Sequence, residues 1–248
     1  MSALHLETLE FLVVFASVAV GAIVQGSIGF GLNLVVVPVV AILEPAALPA
    51  SMIMMAIPMT LGSAIREHDH IDYPGVWWTT LGRLPGVVVG AWVVSALTPG
   101  TLSLVIGGLV VLAAAMTAVS PPVRVVPLSE AAAGFVAGAM GTASSIGGPP
   151  IALLYQREPG AIVRSTLGAT FLIGLVLSLA ALAFAGQVES WHVLLAIALM
   201  PAIGIGLLVS AWLHPFIDAG WLRPLVLTFA GLSGGAVMLW ALVGGPAG

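Results

Sequence analysis

An all-α polytopic membrane protein of two inverted repeats is the fold class this sequence predicts. Each repeat has a broken, re-entrant first segment followed by three transmembrane helices. Three observations predict it. Of the 248 residues, 60% are apolar and 6% are charged, and the mean hydropathy is +1.19. A soluble domain carries about 25% charged residues, so the composition belongs to a chain that spans a bilayer. The apolar residues gather in eight long runs. Finally, landmark residues of the first half return in the second.

The runs are Phe11–Leu43, Ala46–Ile65, Val76–Leu97, Leu102–Val119, Ala131–Tyr155, Ser165–Ala185, Val193–Leu213 and Leu225–Val243. Most have the length of one crossing of a core about 30 Å thick. Tyr73, Trp77, Trp78, Trp191 and Trp221 stand where loops end, as interfacial aromatics do. No basic residue precedes the first run, and that run is too long for a signal-peptide core, so the N-terminus reads as mature protein. The Pro-rich stretch from Ser120 to Pro127 divides the chain into a first half (1–119), a linker (120–128) and a second half (129–248). Glu44-Pro45 returns as Glu158-Pro159 and Ser51 as Ser165, both 114 positions on. Pro85, Gly90 and Pro99 return as Pro201, Gly206 and Pro215, 116 positions on, as a small insertion between the two sets requires.

The first run of each half cannot be one straight helix. Phe11–Leu43 has 33 residues and no charge. As a helix it would be about 50 Å long. Its middle, Gln25-Gly26-Ser27-Ile28-Gly29-Phe30-Gly31-Leu32-Asn33, holds helix-weakening glycines. The counterpart runs from Gly141 and Thr142 through Ser144-Ser145-Ile146-Gly147-Gly148 to Pro149-Pro150, and tandem proline disfavours helix in the residues before it. Each run therefore reads as a helix, an unwound stretch and a shorter helix. Unwound backbone survives at membrane depth only where protein or a watery cavity satisfies it.

Charge sets the expected topology. If each broken run is a hairpin, the halves are inverted. Arg66, Arg124, Arg157, Arg164 and Arg223 then share one side, and Glu7, Glu10, Glu44 and Glu189 lie on the other. Eight simple crossings would split the arginines between the two sides. The positive-inside rule selects the hairpin arrangement, with both termini outside the cytoplasm of an inner or plasma membrane.

Discontinuous helices in inverted repeats are the layout of secondary transporters, with the site at midplane between the repeats. The two short helices would point their N-terminal amides at one cavity, which suits an anion. The expected binding residues are Gln25, Ser27, Gly29, Gly31, Asn33, Thr142, Ser144, Ser145, Gly147 and Gly148. Arg83 joins them as attractor or gate. It is the one charge well inside a run, roughly 10 Å from the cytoplasmic end at 1.5 Å per residue. Snorkelling, or pairing with Asp72, is the competing account of it. Gly82, Gly86 and Gly90 read as a helix-packing ladder.

The absences exclude other classes. There is no Cys and no Lys, and the net charge is −4, which leaves no basic patch for nucleic acid. Five scattered histidines give no metal-ligand spacing, and no cofactor is expected. No Asp, Glu or His lies in the middle of a run, so neither a buried-acid proton relay nor an activated nucleophile is expected. The chain is expected not to be an enzyme. Its expected partners are the lipid bilayer and a small anion, and its oligomeric state stays open.

Gly21-Ala22-Ile23-Val24-Gln25-Gly26-Ser27-Ile28-Gly29-Phe30-Gly31, running on to Pro38, resembles the glycine-rich first-helix signature of TauE/SafE-type sulfite exporters. Gly134 to Gly138, continued through Gly147-Gly148-Pro149-Pro150, is similar to the same signature in the second half. His70-Ile71-Asp72-Tyr73, Trp77 and the Gly82–Gly90 ladder resemble that family's loop and third span. The resemblance implies export of sulfite, sulfoacetate or another small organosulfur or carboxylate anion. The family tends to three consecutive glycines in each half; here Phe30, Leu32 and Asn33 interrupt the first set and Ser144-Ser145-Ile146 precedes the second. An anion or solute channel, and a non-transporting scaffold, are the alternative functions.

Overall fold

A computed structural model of the chain describes all residues except 1–5, 29–30, 67, 120–122, 214–218 and 244–248. Gly29, part of the 120–128 linker and Pro215 therefore lie outside the described residues. The described residues form ten α-helices, one short 3-10 turn at Pro45–Ala47, and no strand. The helices are α1 Thr8–Ile28, α2 Leu32–Leu43, α3 Ala50–Arg66, α4 Tyr73–Ala96 and α5 Pro99–Val119, then α6 Pro127–Ser144, α7 Gly148–Tyr155, α8 Gly160–Phe184, α9 Ser190–Leu213 and α10 Ala219–Val243. Six of them are long and apolar enough to cross a membrane: α1, α4, α5, α8, α9 and α10.

All eight apolar runs become helices, and the two expected to break do so. Phe11–Leu43 divides into α1 and α2, and Ala131–Tyr155 into α6 and α7. The second piece of the first pair doubles back. A methyl on Gly21 would touch the Leu32 carbonyl oxygen and Val36 Cγ2. Residues 21 and 36 would be about 22 Å apart along one straight helix. The second pair also turns tightly, since a methyl on Gly147 would meet the Ala137 carbonyl oxygen and Gly141 Cα.

Local sequence explains the helix starts. Asp72 caps α4 by accepting from the Gly75 N–H at 3.3 Å, and Pro74 occupies the first turn, where its missing N–H costs nothing. Pro127 does the same for α6, where Ser129 Oγ accepts from the Val126 N–H at 3.1 Å. Because α4 begins three residues before the apolar run it contains, Arg83 lies about 15 Å along the helix. That is deeper than the 10 Å expected from the run alone.

Packing joins the two halves of the chain. α4 lies on α6 with glycine on both sides: methyls on Gly82 and Gly86 would strike the Ala131 and Phe135 carbonyls, and one on Gly134 would strike the Thr79 carbonyl. The expected packing ladder is thus a backbone-to-backbone contact between helices from different halves. Other principal pairs are α1 with α9, α5 with α10, α3 with α8, α3 with α9, α4 with α8, α2 with α10 and α5 with α7. Advancing every number by five maps these pairs onto one another, although α6 also packs on α8 without a comparable contact of α1 with α3. Outward-facing side chains are large and apolar, among them Trp92, Phe184 and Leu208, as lipid contact demands. Tyr73, Trp77 and Trp78 are exposed at the head of α4, whereas Trp191 stacks on His192 with ring centroids 4.0 Å apart.

Candidate functional site

The two breaks meet. In the first, Gly31 is the N-cap of α2 with φ 117° and ψ −6°, backbone that a side chain rarely tolerates. Its carbonyl accepts from the N–H groups of Leu34 at 3.1 Å and Val35 at 3.3 Å. The first-turn N–H of Leu32 has no helical acceptor, and it donates to Gln25 Oε1 at 3.2 Å. In the second, Ser145 takes the left-handed conformation at φ 62° and ends α6, while Gly147 caps α7. Pro149 and Pro150 fill the first turn of α7, so that turn offers few N–H groups of its own. Asn33 Nδ2 donates to the Ser145 carbonyl at 2.7 Å, tying one break to the other. Ser145 Oγ donates to the Pro49 carbonyl at 2.9 Å, which ties both to the approach to α3.

Between the breaks is a cavity of about 80 Å³. A water needs roughly 10–15 Å³ measured this way, so the space holds several waters or one small oxyanion. Gln25, Gly31, Asn33, Ser145, Gly147 and Gly148 line it, as does Arg83. Leu34, Phe171 and Leu175 add an apolar wall, and Thr60, Gly174 and Ser178 complete the polar or open positions.

Arg83 is the one charged residue among those lining residues. It is 4% exposed, so it does not snorkel. It is not paired with Asp72 either. Its Nη1 donates to the Thr170 carbonyl on α8 at 2.9 Å, and its buried Nε has no hydrogen-bond partner. Gly174, one turn further along α8, makes room for the guanidinium, because a methyl there would overlap Nη1. Asn33 Oδ1 is likewise buried and without a partner. A guanidinium has five N–H donors, and among the described residues only one protein bond engages them. The cavity therefore presents an under-satisfied cation.

Seven of the eleven residues expected at the site line the cavity: Gln25, Gly31, Asn33, Arg83, Ser145, Gly147 and Gly148. The other hydroxyls are spent elsewhere. Ser27 Oγ donates to the Ile23 carbonyl at 2.8 Å and lies 3.3 Å from Ser210 Oγ. Ser144 Oγ donates to the Met140 carbonyl at 2.8 Å. Thr142 Oγ1 stands behind the lining and shares a hydrogen bond with Ser178 Oγ at 2.8 Å. Gly174 and Thr170 went unnoticed in the sequence because no local motif marks them. They matter through Arg83, nearly ninety positions away.

The family model described as Sulfite exporter TauE/SafE matches residues 13–237, a span that takes in both breaks and Arg83. No curated protein matches the chain, and no solved structure does.

Proposed function

Because the chain belongs to the sulfite exporter TauE/SafE family of membrane transporters, we propose that it exports small organosulfur or carboxylate anions through the cavity between its two breaks. One observation carries the reading. Arg83 is buried, lines the cavity and has no carboxylate partner among the described residues, and its Nε makes no hydrogen bond. An arginine at the centre of a membrane helix costs about 2.5–3.5 kcal/mol to insert. One charge-assisted bond to Thr170 offsets about 1.5–3 kcal/mol of that. An anion in the cavity supplies the missing counter-charge and engages the idle donors.

The inverted-repeat reading supports a midplane site. Measured from the cavity, α2 is about 18 Å long and α7 about 12 Å. If they run to opposite faces, their sum matches a hydrocarbon core of about 30 Å. The packing pairs that return on advancing five helices support two repeats of five helices. In that arrangement both termini lie outside the cytoplasm of the inner membrane, and rocking of one repeat against the other alternates access.

The test is flux of sulfite and of methanesulfonate in proteoliposomes. Arg83→Gln is expected to bring flux to the level of protein-free vesicles, and Asn33→Ala to lower it while leaving assembly intact. Wild-type flux in Arg83→Gln would refute the site. Flux that rises linearly with concentration, with no saturation, would replace the alternating-access reading with a channel.

A further inference from the structure

A cluster at the end of α7 remote from the cavity has no part in anion binding. Tyr155, the last residue of α7, is 1% exposed. Its hydroxyl lies 2.9 Å from Asp72 Oδ2 and 3.2 Å from Glu130 Oε1. Glu130 is in the first turn of α6 and is 4% exposed. Asp72 caps α4, and its own N–H donates to Thr166 Oγ1 on α8 at 3.1 Å. Three carboxyl-and-hydroxyl side chains thus join α4 of the first half to α6, α7 and α8 of the second. Gly75 leaves the room for them, since a methyl there would overlap the Tyr155 hydroxyl.

The hydrogen count decides the charge state. A tyrosine hydroxyl has one hydrogen, and an ionised carboxylate has none. With both carboxylates ionised, one buried contact would set lone pair against lone pair. A proton on Glu130 removes the conflict, because the acid then donates to the Tyr155 oxygen while Tyr155 donates to Asp72. Burial raises the Glu130 carboxyl above its ordinary range, the Tyr155 hydrogen bond pulls it back, and the Asp72 charge raises it further. Among the described residues no arginine contributes to that shift. The 68–70 loop and Tyr73 beside Asp72, Arg124 before α6, Arg157 after α7 and Arg164 on α8 are exposed, and Glu158 is half-buried. Arg83, further along α4, is committed to Thr170.

We infer that Asp72, Glu130 and Tyr155 form a proton-held latch on α7, closed while Glu130 holds a proton and released when that proton leaves to solvent. The inference rests on the transport reading in one respect, that α7 borders the anion's path. Gly148 and Pro149, at the opposite end of this eight-residue helix, line the cavity. The helix is about 12 Å long, so displacing Tyr155 moves the cavity wall. In the proposed topology the latch faces the cytoplasm, and proton loss there opens the cavity to that side.

The experiment is hydrogen–deuterium exchange of the 148–155 amides in nanodisc-embedded protein from pH 5 to pH 9, corrected for intrinsic exchange. Once the pH passes the latch transition, wild-type protection is expected to fall by about tenfold per pH unit, the slope of a one-proton linkage. Glu130→Gln carries a permanent donor and should stay protected throughout. Protection independent of pH in the wild type would overturn the latch without needing any variant. So would Glu130→Gln titrating like wild type while α9 stays protected. Arg83→Gln should keep the pH dependence although it abolishes flux. A titrating latch with undiminished flux in Arg83→Gln would refute the anion site and leave the latch standing.

Discussion

The two breaks do the same job with different chemistry. At the first, side chains do the work: Gln25 satisfies the Leu32 N–H, Asn33 reaches across to Ser145, and Gly31 takes a backbone conformation that excludes a Cβ. At the second, the backbone does it: Pro149 and Pro150 remove donors that would need partners, and Ser145 makes the turn at φ 62°. The first break therefore holds its shape through one irreplaceable conformation. The second holds its shape by shedding hydrogen-bonding obligations. In the proposed mechanism, an anion entering between them meets amide side chains on one face and bare glycine backbone on the other.

Substituting the two cap glycines probes this difference most strongly. Gly31→Ala forces a side chain to φ 117° and brings it against Val24 Cγ1. Strain of that kind costs about 1–3 kcal/mol. Gly147→Ala keeps an ordinary φ of −101° but drives its methyl onto backbone, 2.7 Å from the Ala137 carbonyl oxygen and 3.2 Å from Gly141 Cα. Thermal unfolding in detergent should lower both midpoints, through backbone strain at Gly31 and through overpacking of α7 on α6 at Gly147. A wild-type midpoint in either variant would mean that its break can shift to admit a side chain.

A smaller effect separates conformation from hydrogen bonding at Ser145. Ser145→Ala loses the bond to the Pro49 carbonyl, worth about 0.5–1.5 kcal/mol, and keeps the left-handed backbone. Ser145→Gly loses the same bond but relieves about 1–2 kcal/mol of left-handed cost. The glycine variant should unfold near the wild-type midpoint and the alanine variant below it. If the alanine variant were the more stable, the left-handed backbone at Ser145 would carry no cost that glycine relieves.

Both breaks were legible in the sequence because their signals are local: glycine spacing, tandem proline and a run too long for one crossing. The arginine was legible as a lone charge in an apolar run. Its partners were not, since Thr170 and Gly174 lie on a helix in the other half of the chain and look like any other residues of an apolar span. Ser27 and Ser144 were attractive for their position in the motif. Composition does not disclose that a helix hydroxyl returns to its own backbone four residues earlier. The Asp72–Glu130–Tyr155 cluster was missed for a third reason. Its members sit at the ends of runs, where an acid or a tyrosine reads as an ordinary cap or interfacial residue.

The smallest expected effect on stability is the most informative about selectivity. Gly148 lines the cavity beside Phe171, and a methyl there would lie 3.4 Å from Phe171 Cζ, an ordinary contact. Gly148→Ala should therefore fold like the wild type, within about 0.5 kcal/mol, as substitutions without steric conflict do. It should still narrow a space that holds only a few waters. Sulfite, the smaller anion, should keep most of its flux, and a sulfonate with a carbon substituent should lose more. Equal losses would place the organic part of the substrate away from α7, against the first break and Leu34, and would make the amide face rather than the glycine face the one that reads the anion's size.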